Sequence, residues 1–224
     1  MCSNEEIPSD YWTDPDREWD SSVLYDFLLT DQKRCDFDVK YEIPTEYMKY
    51  PTRPTIYRNV VDPHHFYGTT HRKNLLEILV DREVVLSNAI THSHGRNSIP
   101  FSDYLNYVMA PVSLENALTR DAATTWYAFG ENYWPFVFEY PRPDGVFGRD
   151  HSQGSLSFGI GQTGSGVPFH THGPVLCEVF HGRKRWFMAP NDKEPKFDPN
   201  TSSFKWYHDI ATYGDNILPD GIET

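Results

Sequence analysis

The run Phe169-His170-Thr171-His172-Gly173-Pro174 sets two imidazoles one residue apart. On an extended chain, residues two apart share a face and lie roughly 6 to 7 Å from each other, so both rings can converge on one divalent ion. That makes half of a metal site. The same pair also fits a strand whose polar face meets solvent or a hydrogen-bonded interior. Two neighbours favour the metal: Gly164 opens a turn six residues before His170, and Glu178, six residues after His172, is placed to bring a carboxylate back on the next strand. The plainer role for Glu178 is a cross-strand partner of Lys184 or Arg185. His181 beside a turn and His208 in a polar stretch are not expected to be ligands.

A hairpin must hold these residues, and the sequence has its periods. In residues 155–162, Leu156, Phe158 and Ile160 alternate with Ser155, Ser157, Gly159 and Gly161, the pattern of a half-buried strand with a small-residue face. Thr163-Gly164-Ser165-Gly166 is a turn, residues 167–172 a second strand, residues 175–181 a third after the Gly173-Pro174 break, and residues 185–188 a fourth after Gly182-Arg183. Four strands within about 35 residues leave no room for crossover helices, so they are expected to pair antiparallel. Trp126 to Phe129 and Phe136 to Phe138 read as further strands.

Upstream the period is helical. Ser22 to Leu29 and Thr45 to Tyr50 predict short helices, Thr55 to Val60 a strand, and Leu75, Leu76, Ile78 and Leu79 a helix capped by Thr69 or Thr70. Val84-Val85-Leu86 is extended, and Pro100 with Ser102 as N-cap starts a helix through Tyr104, Leu105, Tyr107 and Val108.

With 38% hydrophobic residues, a 224-residue chain buries one substantial core. Its net charge of −12 and the lack of any Lys/Arg run make nucleic acid an unexpected partner. No run of 18 apolar residues suggests a membrane span. Cys2, Cys35 and Cys177 allow at most one internal bridge and hold no Cys-x-x-Cys zinc pair. The first ten residues lack a secretory signal, which read literally places the start in the cytosol. Asn200-Thr201-Ser202 is an N-glycosylation sequon, meaningful in the secretory pathway.

The stretch Ser157-Phe158-Gly159-Ile160-Gly161, Ser165 through Pro174, Glu178-Val179 and Gly182 through Phe187 resembles the JmjC-type cupins. The likeness runs on through Pro195, Phe197, Pro199-Asn200 and Trp206, and covers roughly residues 34 to 224. It implies a mainly β fold with an α/β amino-terminal part, a JmjC-type double-stranded β-helix (cupin jelly roll) incomplete at the C-terminus. The implied layout is an acidic, partly disordered leader over residues 1–34 and a domain over 35–224, with its α/β part at 35–124 and a partial barrel at 125–224.

The resemblance also implies Fe(II) and 2-oxoglutarate as cofactors, with His170 matching the first iron ligand and Lys184 a lysine that pairs with the distal carboxylate of the co-substrate. His172 stands where the family has Asp or Glu, and Val167 where relatives have a hydroxyl. The family's third ligand, from a Trp-Trp-His segment, falls past Thr224. The resulting expectation has three site residues, His170 and His172 for metal and Lys184 for the co-substrate, and no assigned catalytic residue. The expected role is a pseudo-enzyme or non-enzymatic scaffold that acts through protein partners in signalling or complex assembly. The alternative is an Fe(II)/2-oxoglutarate-dependent protein hydroxylase or demethylase. By resemblance the compartment is the lumen of the endoplasmic reticulum, with an N-glycan on Asn200.

Overall fold

Arg72, Leu75 and Leu79 fall on one face of a helix, and that face is the one buried. The computed structural model describes Trp19 and residues 36–43, 53–60, 64–90, 95–130, 132–140 and 155–213. In chain order its elements are β1 (Asp38–Lys40), β2 (Thr55–Tyr57), α1 (His64–Thr69), α2 (Arg72–Leu79), β3 (Glu83–Asn88), β4 (Arg96–Pro100) and α3 (Phe101–Asp103), which runs on as a π-helical turn (Tyr104–Val108). Then come α4 (Leu114–Thr119), a 3-10 turn (Ala122–Thr124), β5 (Trp126–Ala128), α5 (Pro135–Phe138) and α6 (Ser203–Tyr213). The helices predicted at residues 22–29 and 45–50, and nearly all of the leader, lie outside the described residues.

A three-stranded antiparallel sheet of order β4-β3-β5 forms the frame. In β3, Val84 and Leu86 point into the core and pair across the ladder with Ile99 and Asn97 on β4, while Leu86 faces Ala128 on β5. Beyond the reach of β5, the side chain of Asn132 stands in for a strand. Its Oδ1 accepts from Val85 N at 2.8 Å and its Nδ2 donates to Val85 O at 2.9 Å, which satisfies both backbone groups of a buried edge. A separate parallel pair joins β1 and β2.

Apolar side chains from α1, α2, β3, α3, β5 and α5 meet in one core, among them Phe66, Leu79, Phe101, Tyr104 and Phe136. Tyr104 is fully buried, and its phenol has two partners: it accepts from Ala128 N at 3.2 Å and donates to Ile160 O. Burial pushes this phenol far above its ordinary pKa, so it stays a donor. Trp19 docks on the same core, its indole N–H donating to Thr70 O at 3.0 Å.

Several expectations need correction. Neither Thr69 nor Thr70 caps α2; His71 is the N-cap residue, without a side-chain cap bond, and the Thr70 hydroxyl turns back to Phe66 O and Tyr67 O. Ser102 lies inside α3 and Pro100 is its N-cap, because proline's fixed φ suits the entry. Phe136 to Phe138 form part of the helical turn α5 that starts at Pro135 rather than a strand. The largest difference lies in residues 155–188. Leu156, Phe158 and Ile160 do face the core in alternation, yet the described residues there make isolated bridges, such as Ala128 with Ile160, instead of four paired strands. An antiparallel, cupin-like sheet is present, but a complete jelly roll is not formed among the described residues.

Helix α6 was not expected. Its signals are Ser202, whose hydroxyl accepts from Lys205 N at 3.2 Å, and Phe204, Tyr207 and Ile210 at helical spacing. Phe204 packs so close to Gly164 that a Cβ there would sit 2.8 Å from its ring, and Gly164 has φ 81°, so only glycine suits both demands.

Candidate metal and cofactor site

Phe169 sets the position of His170. Its ring packs against Phe197 at 5.4 Å and edge-on to Trp206 at 4.9 Å, while the Ser203 hydroxyl donates to Val167 O at 2.6 Å. Phe187 returns to the same place, with its ring 5.3 Å from Trp206 and 5.0 Å from Tyr207. Arg185 covers that cluster, its guanidinium 4.6 Å from the centre of the Tyr207 ring. A small second core therefore clamps both ends of residues 169–187 on α6.

Between the clamps, His170 and His172 are both exposed, and their ring centres are 5.9 Å apart at 75°. Each Nδ1 lies 3.0 Å from a backbone carbonyl, Pro168 O for His170 and Gly173 O for His172. A carbonyl only accepts, so each Nδ1 carries a proton, and in the neutral tautomer that this contact selects the lone pair lies on Nε2. This is how ligating histidines are commonly oriented. The two rings therefore lie side by side on one stretch of chain.

The rest of the site does not join them. Among the described residues no group of three His, Cys, Asp or Glu side chains could hold a metal. These residues do not fit a three-ligand iron centre. Glu178 neither returns to the histidines nor pairs with Lys184 or Arg185. Its carboxylate accepts a hydrogen bond from the Tyr140 hydroxyl. Burial, then the hydrogen bond to Glu178 and the charges of Glu178 and Cys177, raise the Tyr140 pKa well above the ordinary phenol value. Lys184 is exposed, its Nζ 3.7 Å from the free thiol of Cys177 and 4.3 Å from the centre of the Trp186 ring. Val167 is half-buried and offers only its carbonyl to Ser203.

A second histidine cluster was missed by the sequence reading. His181 contacts Thr70 Oγ1 through Nε2 at 3.1 Å, with its ring 4.3 Å from Tyr67 and 5.3 Å from His71. Phe180 packs 4.9 Å from Phe66. Together with Glu178 on Tyr140, these contacts pin the middle of the segment to α1 and to the residues just after α5. No local signal marks them, because partners such as Thr70 and His181 lie 111 residues apart. His208 bonds to Asp209 and Thr212 on its own helix, away from the imidazole pair.

Comparison with known proteins gives consistent relatives. The chain is 36% identical over 199 residues to JmjC domain-containing protein 8 of Rattus norvegicus, a match covering 86% of this chain and 72% of the relative. The Homo sapiens protein of the same name is 35% identical over 189 residues, covering 81% and 69%. That of Mus musculus is 35% identical over 190 residues, covering 81% and 68%. No family model matches the chain, and no solved structure matches it.

Proposed function

We propose a function from one established premise: the chain belongs to the JmjC domain-containing protein 8 family, whose cupin-like, 2-oxoglutarate-oxygenase-like character it shares. In our reading it is a pseudo-enzyme of that family, a scaffold that works through protein contacts in signalling or complex assembly. One observation carries this reading. His172 stands where the catalytic JmjC oxygenases that this chain resembles carry Asp or Glu, and the nearest acidic residue along the segment, Glu178, is engaged by Tyr140. Two neutral imidazoles leave the full charge of Fe(II) uncompensated, whereas a carboxylate ligand offsets part of it and favours the usual oxygen chemistry. The finer fold assignment, a JmjC double-stranded β-helix over residues 35–224, belongs to the same proposal.

The pair should still hold a soft or borderline divalent ion weakly through Nε2. Calorimetry with Co(II) or Zn(II) should give weak uptake that disappears in His170→Ala and in His172→Ala. Equal uptake by the double variant would remove these residues from any metal role. Millimolar 2-oxoglutarate with metal should leave the melting temperature unchanged. A rise with ligand concentration that follows mass action, and vanishes in Lys184→Ala, would contradict the scaffold reading.

The rival is an Fe(II)/2-oxoglutarate-dependent protein hydroxylase or demethylase, favoured by the two Nδ1 contacts that leave both Nε2 atoms available. Residence in the endoplasmic reticulum lumen is also proposed, supported by the family resemblance and by Asn200, which is exposed with its N–H on Asp198 Oδ1 at 2.8 Å. Glycosidase treatment of the secretory-expressed chain should speed its migration, and Asn200→Gln should abolish that change. An unshifted wild-type band would count against the N-glycan. No helix among the described residues is long and apolar enough to cross a membrane.

A further inference from the structure

An open cleft of about 560 Å³ lies between the end of α4 with its following 3-10 turn and the first turns of α6. It shares no lining residue with the imidazole pair. Three basic side chains line it, and two of them are satisfied. Lys205 Nζ lies 2.8 Å from Asp209 Oδ2, and His208 is bonded to Asp209 and Thr212. Arg120 differs. It is half-buried, its Nη1 donates to Gln162 Oε1 at a long 3.4 Å, and it makes no ion pair among the described residues. Most of the five donors of this planar fork remain for a ligand.

A guanidinium fork matches the two oxygens of a carboxylate. The cleft also holds the carboxylates of Asp209, paired with Lys205, and Asp121, which makes no ion pair among the described residues; both retain lone pairs that accept hydrogen bonds, and the charge of Asp121 repels additional negative charge. Asp121 uses Oδ1 to cap the 3-10 turn at Ala123 N, 2.9 Å away, and keeps acceptor capacity to spare. A phosphate dianion would meet the charge of Asp121 and has few protons to donate, whereas a monoanion rich in hydroxyl groups would donate to both carboxylates. We infer that the cleft binds a sugar-sized hydroxy acid, with its carboxylate on Arg120 and its hydroxyls on Asp121 and Asp209. The site goes beyond the scaffold reading and does not depend on it.

The test uses the full chain made without N-glycans, since Asn200 is one of the residues lining the cleft, and follows D-glucuronate, D-glucose and inorganic phosphate by calorimetry at constant ionic strength. Glucuronate should bind with one site and a Kd near about 1 mM, with glucose and phosphate at least about tenfold weaker. Arg120→Gln should weaken glucuronate about tenfold at an unchanged unfolding midpoint, and Arg120→Lys should fall between, keeping the charge but not the fork. Arg58→Gln, at an exposed arginine outside the cleft, should bind like the wild type. Equal binding in Arg120→Gln, or a loss in Arg58→Gln instead, would overturn the site. Phosphate as tight as glucuronate would overturn the ligand class.

Discussion

Among the described residues from Arg72 to Val137, backbone ladders and one continuous core hold the chain, with Leu75, Val84 and Leu86 removed from solvent. From Val167 to Met188 the backbone makes almost no ladder, and the chain is held by rings and polar contacts: Phe169 and Phe187 on Trp206, Phe180 on Phe66, Glu178 on Tyr140, His181 on Thr70. The difference separates two kinds of stability. A ladder over a core opens only with global unfolding, whereas a segment held by a few side chains can open alone. The residues expected to do chemistry lie on the second kind.

The largest expected effect lies in the first region. Leu75→Ala should cost about 2 to 5 kcal/mol, because the helix face of Arg72, Leu75 and Leu79 leaves a cavity against β3. Urea unfolding should shift as a whole, with sheet and segment losing protection together. Trp206→Ala should be smaller and local, about 2 kcal/mol for a half-buried ring. Amide exchange should accelerate in residues 167–172 and 185–188 while the amides of β3 keep their protection. Equal acceleration in β3 would erase the distinction between the two regions.

Glu178→Gln is the finest probe, costing on the order of 1 kcal/mol for one partly exposed charge-assisted hydrogen bond. Tyr140 has a folded-state pKa raised by burial first and by Glu178 second. Its contribution to stability is therefore complete below the ordinary phenol value of about 10 and is lost as pH rises above it. In Glu178→Gln the phenol should ionise at a lower pH than in the wild type, read from absorbance near the tyrosinate band. The alkaline loss of stability assigned to Tyr140 should shrink with it. An unchanged titration would mean that Glu178 does not hold this part of the segment.

What could be read from the sequence follows the same division. Periods of 3.6 and 2 located α2 and β3, since Leu75, Leu79, Val84 and Leu86 meet one core, and alternation alone oriented Leu156, Phe158 and Ile160. Ladder pairing was inferred from alternation, but alternation records only which face is buried. Phe158 and Ile160 satisfy it by packing on Trp134, Phe136 and Tyr104 with a single bridge to Ala128. The His170–His172 pair was visible because its spacing is local. The engagement of Glu178 by Tyr140, the His71–His181 contact and the Arg120 cleft depend on residues far apart in sequence, which no window of periodicity can join.

In the pseudo-enzyme reading proposed above, His170 and His172, with no carboxylate beside them among the described residues, make no 2-oxoglutarate oxygenase centre. Succinate release from 2-oxoglutarate tests it most directly, measured aerobically with Fe(II) and ascorbate for the wild-type chain and for His170→Ala. The account predicts the same slow background from both proteins. Iron-dependent succinate from the wild type that disappears in His170→Ala would contradict it and establish the enzyme.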